Sequence, residues 1–214
     1  MEERFDRPGI QGVLHRPVGG CVDAVALTHG AGSNCHAPLL VHLSRAFAGA
    51  GYLVLRFDLP FRQQRPKGPP FPAFAARDRQ GIAQAVEAVR QLSRGRVFAG
   101  GHSYGGRQTA MAAAEHPEMA EALLLLSYPL HPPRRPEQMR TAFFPHLRTP
   151  ALFVHGGRDP FASLEELSEA MALIPARTDL LAVEGAGHDL KLAPQSLAAD
   201  ILARFHALLC YPEN

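Results

Sequence analysis

Residues 97–107 read Val-Phe-Ala-Gly-Gly-His-Ser-Tyr-Gly-Gly-Arg, a short apolar run that breaks into glycines around Ser103 and then enters a helical pattern. Gly101 to Gly105 make a G-x-S-x-G, and its position is as informative as its letters. A serine on a tight turn between a buried strand and a helix projects its hydroxyl above the sheet, at the cost of about 1–3 kcal/mol of backbone strain. Glycines on either side let strand and helix approach without side-chain collision. The other use of such a turn is a glycine-rich phosphate site at a helix start, but no G-x-x-x-x-G-K-[ST] is present to support a P-loop.

Outward from this turn the chain alternates short β-rich runs with helical patterns. Strands are predicted at Ala24–Thr28, Tyr52–Phe57, Val97–Gly100, Ala122–Leu126, Ala151–His155 and Leu180–Val183. Helices are predicted at Pro38–Ala50, Phe74–Leu92, Arg107–Glu115, Leu164–Leu173 and Leu197–Leu209. The prolines and basic residues of Asp58–Pro72, and again of His131–Pro150, read as long connections. Continuous apolar strands separated by helices predict an α/β fold with a mostly parallel sheet covered on both faces. In such sheets, functional groups gather at the carboxyl ends of the strands.

Two later strand ends supply partners for Ser103. The run ALFVHGGRDPF places Asp159 in the turn after one strand, and LLAVEGAGHDL places His188 in the turn after the last. A neutral imidazole can take the serine proton, and a carboxylate can fix its tautomer and stabilise the imidazolium. Glu184 and Asp189 compete with Asp159 for the acid position, although a carboxylate adjacent in sequence is poorly placed to face the ring of His188. His102, beside the serine, reads as a packed or hydrogen-bonded residue of the turn rather than a base. For a developing oxyanion, the backbone N–H groups of Tyr104 and of Ala31, in the turn His29-Gly30-Ala31-Gly32, are the expected donors, with Gly32 as alternative.

Taken together, THGAGSN, RFDLPF, GGHSYGGR, LSYPLHPP and FVHGGRDPF resemble a group of small α/β-hydrolases related to dienelactone hydrolases. That group includes the hydrolase-like domain of an animal NSL chromatin-complex subunit and a small testis-expressed protein. The resemblance covers roughly Gly12 to Leu209. It implies an α/β-hydrolase fold with a serine triad. Many relatives of the fold insert a helical cap at the connection that is short here, His131–Pro150, so a small or absent lid is expected, and the triad's chemistry requires no cofactor. Dienelactone hydrolases proper use a cysteine nucleophile where this chain has Ser103, so lactone specificity does not follow. The animal relatives imply a second possibility, a fold that persists as an interaction module. The expected reaction is hydrolysis of a small ester or thioester through an acyl-enzyme; peptidase or acyltransferase chemistry on the same triad is the alternative.

Composition narrows the rest. With 214 residues the chain suits one domain, 1–214. A formal net charge of +2 gives no case for a nucleic-acid partner. The apolar runs are too short for a membrane span, and the charged start MEERFDRPGI is no secretory signal. Cys21, Cys35 and Cys210 lack metal-ligand spacing, as do the histidines, so no metal is expected and the cytoplasm is the predicted compartment. The partner expected is a small acyl substrate; oligomeric state is not encoded in any pattern here. Arg62, Arg65, Lys67, Arg134, Arg135 and Arg140 lie in the two proline-rich connections. A basic rim of these residues would favour acidic or small polar acyl groups. Tyr128, Phe143 and Phe144 are candidates for apolar walls or core.

Overall fold

The computed structural model describes residues 1–20, 22–191 and 196–210. Two strands open the chain, β1 (Glu2–Arg7) and β2 (Ile10–His15), joined at Pro8-Gly9 as an antiparallel hairpin. Then follow β3 (Ala24–Thr28), α1 (Pro38–Gly49), β4 (Leu53–Asp58), α2 (Pro60–Gln64), α3 (Ala75–Arg90), β5 (Val97–His102) and α4 (Tyr104–Glu115). The remainder is β6 (Leu123–Leu126), β7 (Ala151–Gly156), α5 (Leu164–Met171), β8 (Thr178–Val183) and α6 (Leu197–Leu209).

All eight strands form one sheet in the order β1-β2-β4-β3-β5-β6-β7-β8. Pairing is parallel from β4 to β8 and antiparallel where β2 meets β4. Side chains of a strand alternate between faces, and both faces of the central strands β3, β6 and β7 are buried. Ala24 and Ala26 of β3 pack with Ile82, Val86 and Val89 of α3, whereas Val25 and Leu27 pack with Leu40, Leu43 and Phe47 of α1. Leu123 and Leu125 of β6 divide from Leu124 and Leu126 in the same way. This is the sheet-with-two-helical-layers architecture expected from the apolar runs. From β3 the chain crosses over α1 to β4 on one side, then returns over α3 to β5 on the other. The carboxyl ends of β3 and β5 therefore flank the point where winding reverses, the usual place for a site in such sheets.

Three elements depart from the sequence expectation. The hairpin β1–β2 is not signalled by a run of apolar residues, because β1 is an edge strand that buries Phe5 and exposes Glu2, Arg4, Asp6 and Arg7. The stretch expected as one loop from Asp58 to Pro72 contains α2, which starts with Pro60 at its first turn, where a missing N–H costs nothing. And α4 begins at Tyr104, not Arg107, so the glycines after the serine are helical. The long connection after β6 carries a single short 3-10 turn, Phe144–His146, and no cap helix. Tyr128 and Phe144 are buried and Phe143 half-buried, so the first two belong to the core. Cys35 is a buried free thiol and Cys210 an exposed one; Cys21 lies outside the described residues. No helix among the described residues is long and apolar enough to cross a membrane.

Candidate active site

Ser103 sits between β5 and α4 with φ 53° and ψ −117°, a conformation that L-residues rarely adopt. Two backbone bonds hold it there. Its N–H donates to the Leu126 carbonyl at 2.8 Å, and its carbonyl accepts from the Arg107 N–H at 2.9 Å. The turn closes this tightly because of Gly105, where a Cβ would come within 2.5 Å of the His29 carbonyl oxygen.

One imidazole joins the serine to a carboxylate. His188 Nε2 lies 2.8 Å from Ser103 Oγ, and His188 Nδ1 lies 2.7 Å from Asp159 Oδ2. The Asp159 side chain is fully buried, while 23% of the His188 side chain remains exposed. Asp159 is held at its other oxygen too: Oδ1 accepts from the Phe161 N–H at 2.9 Å. Phe161 then lays its ring on that of His188, with centroids 4.3 Å apart. Beneath the carboxylate, His155 Nε2 donates to the Ala162 carbonyl at 3.1 Å and stands 3.7 Å from Asp159 Oδ2. Burial holds the His155 pKa below the usual imidazole value, so that ring stays neutral.

The carboxylates that competed with Asp159 lie elsewhere. The Asp189 side chain pairs with Lys191 Nζ at 3.0 Å and accepts from the Lys191 N–H. Glu184 is exposed. His102 is not within the chain of contacts from Ser103 to Asp159; its Nε2 donates to the backbone carbonyl of His188 at 2.7 Å. Burial lowers its pKa as well, so the ring is a neutral donor.

The turn after β3 is pinned from several directions. His29 is fully buried; its Nδ1 donates to the Gly30 carbonyl at 2.8 Å, and its Nε2 accepts from the Leu59 N–H at 3.1 Å. Burial drives its pKa down to about 4, which keeps Nε2 free to accept. The Gly30 carbonyl also accepts from the Ser33 N–H at 3.1 Å. Because a trans peptide sets C=O and N–H on opposite sides, fixing the Gly30 carbonyl turns the Ala31 N–H the other way. That loop lies close to the serine: a Cβ on Gly30 would be 3.4 Å from Ser103 Cβ and 3.0 Å from His102 Nδ1. Tyr104 is the first residue of α4, and the first amides of a helix have no partner inside it. Its phenol donates to Asp78 Oδ2 at 2.7 Å, anchoring that turn to α3.

Arg62 is not a rim charge. It is 6% exposed, and its guanidinium donates to the carbonyls of Ser33, Arg65, Ala31 and Gly68 at 2.7–3.0 Å. It ties α2 to the turn after β3 and spends four of its five N–H donors on backbone carbonyls. Arg65 covers the Phe71 ring at 4.2 Å. Lys67, Arg134 and Arg135 are exposed, and Arg140 is half-buried. The sequence reading took Arg62 for a rim charge, saw His29 only as a member of its turn, and passed over Arg107. A buried polar residue just after a strand was the available signal for His29; for the arginines there was none, because a clamp on backbone carbonyls leaves no motif.

A strained serine, an imidazole and a buried carboxylate on the carboxyl ends of β5, β7 and β8 is the arrangement of the α/β-hydrolase fold. Residues 22–201 match the family described as alpha/beta hydrolase domain, and the chain belongs to that family. Among solved structures it is similar to dienelactone hydrolase from Anabaena variabilis, with 21% identity over 99% of both chains and a TM-score of 0.74. Est1E from Butyrivibrio proteoclasticus with ferulic acid bound shares 18% identity over 98% of this chain and 100% of that one, with a TM-score of 0.76. XC6422 from Xanthomonas campestris, described as a serine hydrolase without lid, shares 16% identity over 100% and 96%, with a TM-score of 0.74.

Proposed function

We propose that the protein is a serine hydrolase that cleaves a small ester or thioester through an acyl-enzyme, with Ser103 as nucleophile, His188 as base and Asp159 as the acid that orients it. The observation that carries this reading is that one imidazole contacts both partners, at 2.8 Å and 2.7 Å. The Ser103 oxygen attacks the acyl carbon as its proton passes to His188 Nε2. The amides of Tyr104 and Ala31 receive the oxyanion. The tetrahedral intermediate collapses, the bond to the leaving group breaks, and His188 returns the proton to the departing alcohol or thiol. Water then attacks the acyl-serine with His188 again as base, releasing the acid and restoring the hydroxyl.

Asp159 is suited to its role by being buried with both oxygens occupied, so it holds one tautomer of His188. The partial exposure of His188 gives water access to the second step. The quoted motifs support a place among the dienelactone-hydrolase-related group, with serine in place of cysteine. The named ligand of Est1E, ferulic acid, is a property of that protein; it makes aryl-acid esters reasonable members of a first substrate panel.

The test is labelling by a fluorophosphonate probe alongside turnover of p-nitrophenyl esters, acyl-CoA and peptides. Wild type should be labelled and Ser103→Ala should not, and one substrate class should dominate turnover. A wild-type protein that resists the probe would overturn the reading and favour an interaction module on the same fold.

A further inference from the structure

One turn of α4 beyond Ser103, Arg107 carries a charge that the fold leaves unmatched. Its Nε is buried and has no hydrogen-bond partner, and its guanidinium has no carboxylate partner among the described residues. In a helix the Cα–Cβ bond tilts toward the N-terminus. The Cα–Cβ bond of Arg107 therefore tilts toward the turn that carries Ser103, one helical turn before it. A second guanidinium shares its surroundings. Arg140, half-buried in the connection after β6, has one side-chain hydrogen bond, from Nη1 to the Pro129 carbonyl at 3.3 Å. Burial first, and then the charge of Arg107, hold Arg140 below the usual guanidinium pKa. Tyr128 connects the two: its hydroxyl donates to the Arg140 carbonyl at 2.8 Å, and both guanidiniums bear on its phenol.

Two partly desolvated like charges that converge on one phenol are unfavourable until an anion joins them. A carboxylate suits the planar fork of a guanidinium better than any neutral group. The other basic residues of these loops are spent on carbonyls or exposed to water, as described for Arg62 and Arg134.

We propose that Arg107 and Arg140 form an anion subsite that holds a free carboxylate of the substrate while Ser103 attacks an ester carbonyl in the same molecule. This deepens the hydrolase reading and rests on it. The substrate class is an ester bearing a second, unesterified carboxyl group, on either the acyl or the alcohol half.

Two matched pairs of esters distinguish the halves. Monomethyl glutarate against methyl pentanoate, followed by pH-stat, carries the carboxylate on the acyl half. 4-Carboxyphenyl butyrate against phenyl butyrate carries it on the leaving half. In one pair kcat/KM should favour the charged member by about tenfold or more. That ratio should fall to near one in Arg107→Gln and in Arg140→Gln, and Arg107→Lys should lie between. Equal rates within both pairs would overturn the proposal, as would a preference that survives both glutamine variants. Glutarate binding to Ser103→Ala, read by calorimetry, needs no turnover. Binding that is lost in Arg107→Gln supports the subsite even for a protein that hydrolyses no ester, whereas no binding in a protein that still reacts with the fluorophosphonate sinks the subsite alone.

Discussion

His102 Nε2 donates to the backbone carbonyl of His188 at 2.7 Å, so the residue before the serine holds the loop that carries the imidazole. The same ring meets the turn after β3, where its Nδ1 would touch a side chain placed on Gly30. One neutral ring thus braces two loops that belong to strands far apart in sequence. In the proposed mechanism His102 is a positioning residue, which acts through His188 and not on the substrate.

In His102→Ala the tether is gone, and a displacement of about 1 Å at a reacting group can cost about a hundredfold in rate. The expected result is a tenfold or greater loss in kcat with KM little changed, and partial rescue by His102→Gln, whose amide can donate from a similar place. Steady-state kinetics on one p-nitrophenyl ester measures this. Equal losses in both variants would assign the ring to packing alone.

For Asp159→Asn, the carboxamide keeps the volume but no longer fixes the tautomer of His188. A loss of about 10⁴-fold in kcat is expected. The readout is ester turnover with fluorophosphonate labelling rate as a second measure; a loss of less than tenfold would move the acid role elsewhere.

Ser103 gives a prediction on stability. Its φ of 53° is costly for any residue with a Cβ and free for glycine. After allowing for the larger unfolded-state entropy of glycine, Ser103→Gly should be about 1 kcal/mol more stable than Ser103→Ala, with both inactive. Urea denaturation of the two variants decides it.

Acid should loosen the molecule between about pH 6.5 and pH 4. His15 Nε2 accepts from Arg56 Nε at 2.8 Å and His29 Nε2 accepts from the Leu59 N–H, so both rings must be neutral at that nitrogen. Burial lowers both pKa values from 6.5 to about 4. Below 6.5 the unfolded chain binds protons that the folded chain refuses. Stability is therefore whole above that pH and declines as pH falls, by up to about 3 kcal/mol for each ring. Urea midpoints across this range should fall for wild type and fall about half as steeply in His29→Gln, where the His15 contribution remains.

The strands around the site were legible because β3, β5, β6 and β7 are buried on both faces and so read as unbroken apolar runs. Ser103 was legible because a tight strand-to-helix turn demands glycine on either side. The geometry around it was not. Whether Asp159, Glu184 or Asp189 faces His188 depends on how β7 and β8 stand side by side, which no local pattern records. Arg62 looked like a surface charge because its neighbours are prolines and polar residues; its burial comes from carbonyls of the turn after β3, about thirty residues away. The hairpin at the N-terminus hid because a strand at the margin of a sheet needs few apolar side chains.

That outer strand, β1, carries the charges of Glu2, Glu3, Arg4, Asp6 and Arg7; Arg4 pairs with Asp6, and Glu3 pairs with Arg16 just past β2. A foreign backbone seeking to extend the sheet from this side would have to strip water from each charge it covered, with nothing apolar in return. Fibre-like growth of the sheet past its first strand is thereby discouraged, at the very margin where free N–H and C=O groups would otherwise invite it.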